Sequence, residues 1–326
     1  MRLRLKELIV PALVYSALAI YLYQPYLGYF DTLRYLVVLS SIIASLGCFV
    51  LSRRWVSAAV ASLFAGVMYG FGPFFLGFAS YHPSAVVLMA TLPWLFCPAV
   101  FWPSGKKLRT RLTGIVLSLV PFVVIVLFFT VSTRQGLFAI PKQAKLHPAD
   151  MTALLAPLIT KGNTFTVGFY HTPLAAVIMG LFMFFAVRRP AVAIIFVAGA
   201  ALAFCDSIFQ VSPIIWAALP VLCCCVFVGV GMQGLAWAGA EDRRWLLICA
   251  MIMTVLTGAT VLLGITKAET YFDAAKMYVL GTLSVFIIFF IARAELRVHW
   301  LRWAILCAAF GLDIFVGAQT LIDKII

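Results

Sequence analysis

Residues 112–131 read LTGIVLSLVPFVVIVLFFTV, twenty residues without a charge, closed off by Arg111 on one side and Arg134 on the other. A helix needs about 20 apolar residues to cross the hydrocarbon core of a bilayer. Inside that core only a helix or a closed barrel satisfies every backbone N–H and C=O. This one stretch therefore names the solvent of the chain, and the rest of the sequence repeats it. Of 326 residues 64% are apolar and 11% charged, with a mean hydropathy of +1.10. Soluble domains run near half apolar and about a quarter charged, so soluble globular, disordered and collagen-like chains are excluded. An outer-membrane barrel alternates apolar and polar residues, whereas these runs are continuous. The fold class is all-α: a polytopic transmembrane helical bundle.

Outward from 112–131, eleven stretches approach the spanning length: roughly 8–27, 34–51, 56–79, 85–102, 112–131, 173–187, 191–205, 213–240, 245–266, 277–292 and 303–322. The segment Phe71-Gly72-Pro73-Phe74 is expected to kink the third, because proline removes a ladder donor. The sixth and seventh are short and flank Arg188-Arg189-Pro190, which predicts a tight helical hairpin, or one helix that does not fully span. The eighth is too long for one straight helix. Pro220 is expected to divide it, with a re-entrant or interfacial piece over Pro213 to Leu219 ahead of the true span. The N-terminal Met-Arg-Leu-Arg-Leu-Lys followed by an apolar run reads as an uncleaved signal anchor.

Loop charges orient the bundle. With a cytoplasmic N-terminus and all eleven stretches crossing, the inside segments hold 16 Lys and Arg and the outside segments 8. The positive-inside rule then predicts N-inside and C-outside. The longest polar connection, 132–172, falls outside, and His147 to Thr160 within it reads as a short amphipathic helix on the membrane surface. No linker or soluble domain interrupts the chain, so residues 1–326 form a single integral-membrane domain.

The net charge of +13 sits in short clusters between apolar runs, which points to membrane orientation rather than nucleic acid. Eight cysteines fall within or at the ends of apolar runs, with no CxxC pair and no metal spacing, so they read as small buried hydrophobes. Asp313 is the one acid deep in a span. A charge at mid-membrane costs roughly 2.5–3.5 kcal/mol on insertion scales, so this buried intramembrane acid must face the bundle. Ala309, Asp313, Gly317 and Thr320 make one small and polar stripe suited to close packing. No second intramembrane acid or base partners Asp313 in sequence.

Asp31, His82, His147, Asp150, His171 and Asp206 all fall on the outside in this topology. Together they could supply a general base or bind a divalent cation, although only the fold could gather them. His299 reads as an interface anchor beside Trp300. Tyr21, Tyr23, Tyr26 and Tyr29 suit a belt at the opposite interface. No nucleotide-binding, zinc-protease, hydrolase or haem-attachment motif is present. The sequence specifies no cofactor and no metal site.

Three motif groups resemble the bacterial YfhO-type membrane proteins, relatives of the GT-C glycosyltransferases. The first is Gly72-Pro73-Phe74-Phe75-Leu76-Gly77 with His82-Pro83 and Leu92-Pro93-Trp94. The second is His147-Pro148-Ala149-Asp150 with Leu154-Leu155-Ala156-Pro157, Gly168 and Pro173-Leu174. The third is Ser212-Pro213, Leu219-Pro220 and Gly229-Val230-Gly231-Met232-Gln233-Gly234-Leu235. The resemblance covers roughly residues 60–265. It implies handling of sugars on polyprenyl phosphate at the extracytoplasmic face, with Asp31, Asp150 and His147 as catalytic groups and His82, His171 and Asp206 near the substrate. The chain departs from the family in its first outside loop, about Tyr26 to Leu33, where Asp31 is the sole acid. It also lacks the Arg-rich stretch after Leu219-Pro220 and the large C-terminal outside domain.

Three readings follow. One is a reduced lipid-linked glycosyltransferase-like protein of the bacterial inner membrane, whose envelope glycans should change in Asp31→Asn and Asp150→Asn. The second is a non-catalytic transmembrane subunit of a larger respiratory, photosynthetic or envelope-building complex, which should co-purify with other membrane subunits. The third is a proton-coupled transporter or flippase using Asp313. Membrane lipids are partners in all three.

Overall fold

The computed structural model describes residues 6–29, 32–81, 83–103, 108–136, 168–187, 190–208, 211–239, 241–266, 271–296 and 298–325. Every regular element among them is helical, and the one strand-like feature is an isolated bridge between Ile208 and Val211. The helices are α1 (Lys6–Tyr23), continued by a 3-10 segment (Gln24–Tyr29), α2 (Thr32–Ser52), α3 (Ala59–Gly70), α4 (Pro73–Tyr81), α5 (Pro83–Phe101) and α6 (Leu108–Arg134). After the long connection come α7 (His171–Val187), α8 (Pro190–Phe204), α9 (Pro213–Trp216), α10 (Ala218–Trp237), α11 (Arg243–Thr266), α12 (Tyr271–Arg293) and α13 (His299–Ile325).

Among the described residues eight stretches are long and apolar enough to cross a membrane: Glu7–Gly28, Tyr35–Ser52, Ala59–Phe78, Leu108–Ser132, Pro213–Trp237, Arg243–Thr266, Tyr271–Arg293 and His299–Asp323. Three apolar helices are shorter, Ala85–Phe101, His171–Phe184 and Ala191–Phe204. The two flanking Arg188-Arg189 have 17 and 15 residues, about 25 and 22 Å at 1.5 Å per residue, against a hydrocarbon core of about 30 Å. A helical apolar bundle of this kind fits a multi-pass membrane protein in contact with lipid. The amphipathic helix expected over 147–160 lies outside the described residues.

Two expected irregularities take a particular form. The third stretch does not merely kink: α3 stops at Gly70 and α4 starts at Pro73. A Cβ at Gly72 would run into the Met68 carbonyl, so the tight link needs glycine there. The eighth stretch breaks at Ala217, three residues before the expected division at Pro220. Pro220 lies in the first turn of α10, where a missing N–H costs nothing because that donor has no intrahelical acceptor. All four residues of α9, ahead of the break, are buried inside the protein.

The bundle is built around α10. It packs on α2, α3, α7, α8, α9 and α13, and 83% of the apolar window through α9 and α10 is buried inside the protein. Small residues make this possible, because lipid tails are as apolar as leucine and helices associate in a bilayer through close packing. A Cβ on Gly231 of α10 would meet the Ala176 carbonyl of α7, and one on Gly180 of α7 would meet the Phe227 carbonyl of α10. The two backbones therefore touch. Gly66 and Gly70 of α3 stand equally close to the Ser45 and Ser41 carbonyls of α2. At the other extreme only 17% of the α6 window is buried. That helix packs mainly on α5, with Phe122 stacked on Trp216 at 5.9 Å between ring centroids.

Candidate functional site

At the start of α7 the chain reads Tyr170-His171-Thr172-Pro173. The first N–H groups of a helix have no intrahelical acceptor, and a buried one must find a partner elsewhere. Here the partner comes from α13. Oδ2 of Asp313 accepts the Thr172 backbone N–H at 2.5 Å, and Oδ1 lies 3.2 Å from Nδ1 of His171. The His171 side chain is 0% exposed and that of Asp313 1%. The acid named from sequence thus caps a helix 141 residues earlier in the chain, and it has a basic partner that no helical spacing revealed.

Three further contacts hold the pair. The Tyr278 ring of α12 stands edge-to-face on the imidazole, with centroids 4.9 Å apart. The Thr172 hydroxyl donates to the Met277 carbonyl of α12 at 3.5 Å. The Tyr170 hydroxyl donates to the Phe71 carbonyl at 2.7 Å, at the break between α3 and α4, where the helix ladder is interrupted. The small stripe on α13 explains the fit: Ala309, Asp313 and Gly317 are buried, and the Tyr170 ring lies directly against Gly317. Four parts of the bundle therefore meet at one polar point.

Two polar atoms there are buried and have no hydrogen-bond partner among the described residues: Nε2 of His171 and the hydroxyl of Tyr278. With Nδ1 facing a carboxylate, the neutral imidazole carries its hydrogen on Nδ1 and leaves a lone pair on Nε2. This is the arrangement that makes a histidine a proton acceptor, oriented by its acid through the other ring nitrogen. The phenol can both accept and donate.

Of the outside residues singled out in the sequence, Asp31, His82, His147 and Asp150 lie outside the described residues. Asp206 is exposed, so the structure places it in a different environment from buried His171. Among the described residues no group of three or more His, Cys, Asp and Glu could hold a metal ion. Sequence reasoning passed over Tyr170, Thr172 and Tyr278. The cluster Tyr170-His171-Thr172 ahead of an apolar run was the available signal for the first two, and Tyr278 carried none. Comparison with known proteins returned no matching family model, no matching curated protein and no matching solved structure.

Proposed function

We propose that the protein is a proton-exchanging transporter or flippase of the membrane, with His171 and Asp313 as its proton-binding pair. The observation that carries this reading is the buried Nε2 of His171, free of any partner among the described residues while Nδ1 is held by Asp313. Ionisable groups inside a membrane bundle are expensive to place, and they mark proton and ion pathways by default. The pair has two states one proton apart. With neutral imidazole and ionised carboxylate its net charge is −1. A proton on Nε2 turns the pair into imidazolium and carboxylate, with net charge zero. The Thr172 N–H holds Oδ2 in both states, so the charge change falls on the contact between α7 and α13 and on the Tyr278 ring of α12. In a low-dielectric interior that change is felt strongly, which allows proton binding to bias how the three helices sit.

Infrared difference spectra of the purified protein between acid and alkaline pH are expected to show imidazole ring bands that disappear in His171→Gln. Proteoliposomes carrying the wild type should dissipate an imposed pH gradient faster than those carrying Asp313→Asn. Equal rates in the two preparations would remove the proposal. Handling of sugars on polyprenyl phosphate is a second reading, carried by the sequence resemblance alone.

A further inference from the structure

A lateral cavity of the bundle lies toward the opposite end of α7. Its volume is about 350 Å³, and it is lined along α10 from Leu219 to Gln233, with walls from the ends of α2, α5, α7 and α8. Fourteen residues of helix make it about 21 Å long. That exceeds half the thickness of a hydrocarbon core of about 30 Å. Phe96, Ile195, Leu222, Val226 and Val230 make most of the wall apolar. Water does not fill an apolar cavity of this kind, and in a bilayer the neighbouring molecules are lipids.

The polar groups collect at one end, and all are donors. Arg54 is exposed and pairs with no acid among the described residues. The indole N–H of Trp55 is buried without a hydrogen-bond partner among the described residues. Gln233 uses its carboxamide oxygen on the Ser57 N–H, the Ser57 hydroxyl and the Ala58 N–H, leaving its own N–H groups for the cavity it lines. Asp242, which lines the adjoining pocket with Gln233, is already engaged on the Gly239 N–H.

We propose that this groove is a binding site for an anionic glycerophospholipid, with one acyl chain along α10 and the phosphate at Arg54, Trp55 and Gln233. Three donor groups, one of them a cation, with no acceptor left free among them match a phosphate and repel an ammonium. The groove is open along one side, so the second acyl chain of a glycerophospholipid stays in the bilayer. The site lies about 18 Å along α7 from His171 to Met183 and stands independently of the proton pair.

The test is native mass spectrometry of the full chain released from micelles doped with equal amounts of phosphatidylglycerol and phosphatidylcholine of identical chains. The wild type is expected to retain one phosphatidylglycerol at least tenfold over phosphatidylcholine. Arg54→Gln should bring the two to parity, and Cys223→Phe, which fills the groove wall, should remove the bound lipid. Val230→Phe serves the same purpose if the first filling variant does not fold. Equal retention of both lipids by the wild type overturns the site, as does an unchanged preference in Arg54→Gln. Displacement of the phosphatidylglycerol by an equimolar single-chain isoprenyl phosphate overturns the choice of lipid. Loss of gradient dissipation in Asp313→Asn would leave these outcomes unchanged, so the two proposals fail separately.

Discussion

Asp313 does three jobs with two oxygens. It caps α7 at Thr172, orients His171, and ties α13 to the start of a helix far away in sequence. Removing it leaves the Thr172 N–H and the His171 Nδ1 buried without an acceptor, each costing about 1–3 kcal/mol. Asp313→Ala is therefore expected to destabilise the protein by about 2–5 kcal/mol. Asp313→Asn keeps one acceptor oxygen and should cost about 1–2 kcal/mol. Thermal unfolding in detergent micelles checks the order, and equal losses would mean that the carboxamide cannot cap. At this scale half of the site was legible. An acid within an apolar run announces itself by its cost. His171 was singled out as a candidate site residue but not as its partner, because it sits at the edge of its own run, where nothing local links it to Asp313.

Helices were legible wherever hydropathy runs on, and their interruptions were legible only in kind. Glycine and proline marked the breaks after Gly70 and near Pro220, but the exact residue depends on which carbonyls find donors. Buried arginines do the same work at the helix ends. Arg53 donates to the Val56 and Ser57 carbonyls after α2, and Arg302 donates to the Ala238 carbonyl after α10. Hydropathy also cannot tell a close-packed glycine from a lipid-facing one. Gly231 lies against the backbone of α7, whereas a Cβ at Gly258 of α11 would meet nothing within 4 Å. Gly231→Ala is thus expected to cost about 1–3 kcal/mol through overpacking. Gly258→Ala should be neutral or stabilise by up to about 1 kcal/mol through helix propensity. Melting temperatures of the two variants should move in opposite directions or, at least, differ clearly. A larger loss at Gly258 would contradict the packing of α7 on α10.

For the whole molecule the charge bias makes a topological prediction. An N-inside chain with eleven crossings puts Ile326 outside, so a C-terminal alkaline phosphatase fusion should be active and a C-terminal green fluorescent protein fusion dark. The reverse pair of signals would mean an even number of crossings or an inverted bundle. The groove and the proton pair lie toward opposite ends of α7, which this experiment would assign to the two faces of the membrane. By itself the sequence determined the solvent, the helical class and the apolar runs that become the helices. All of these follow from the cost of moving charges and unpaired backbone out of water. Only the tertiary structure decided that α10 is the centre, that α6 faces outward, and that His171 meets Asp313. The physical reason is that a bilayer is as apolar as a protein core, so hydrophobicity stops distinguishing inside from outside once every helix is apolar. What remains to arrange the helices is small residues in contact and a few polar groups seeking partners, and those act across distances in sequence that no local pattern records.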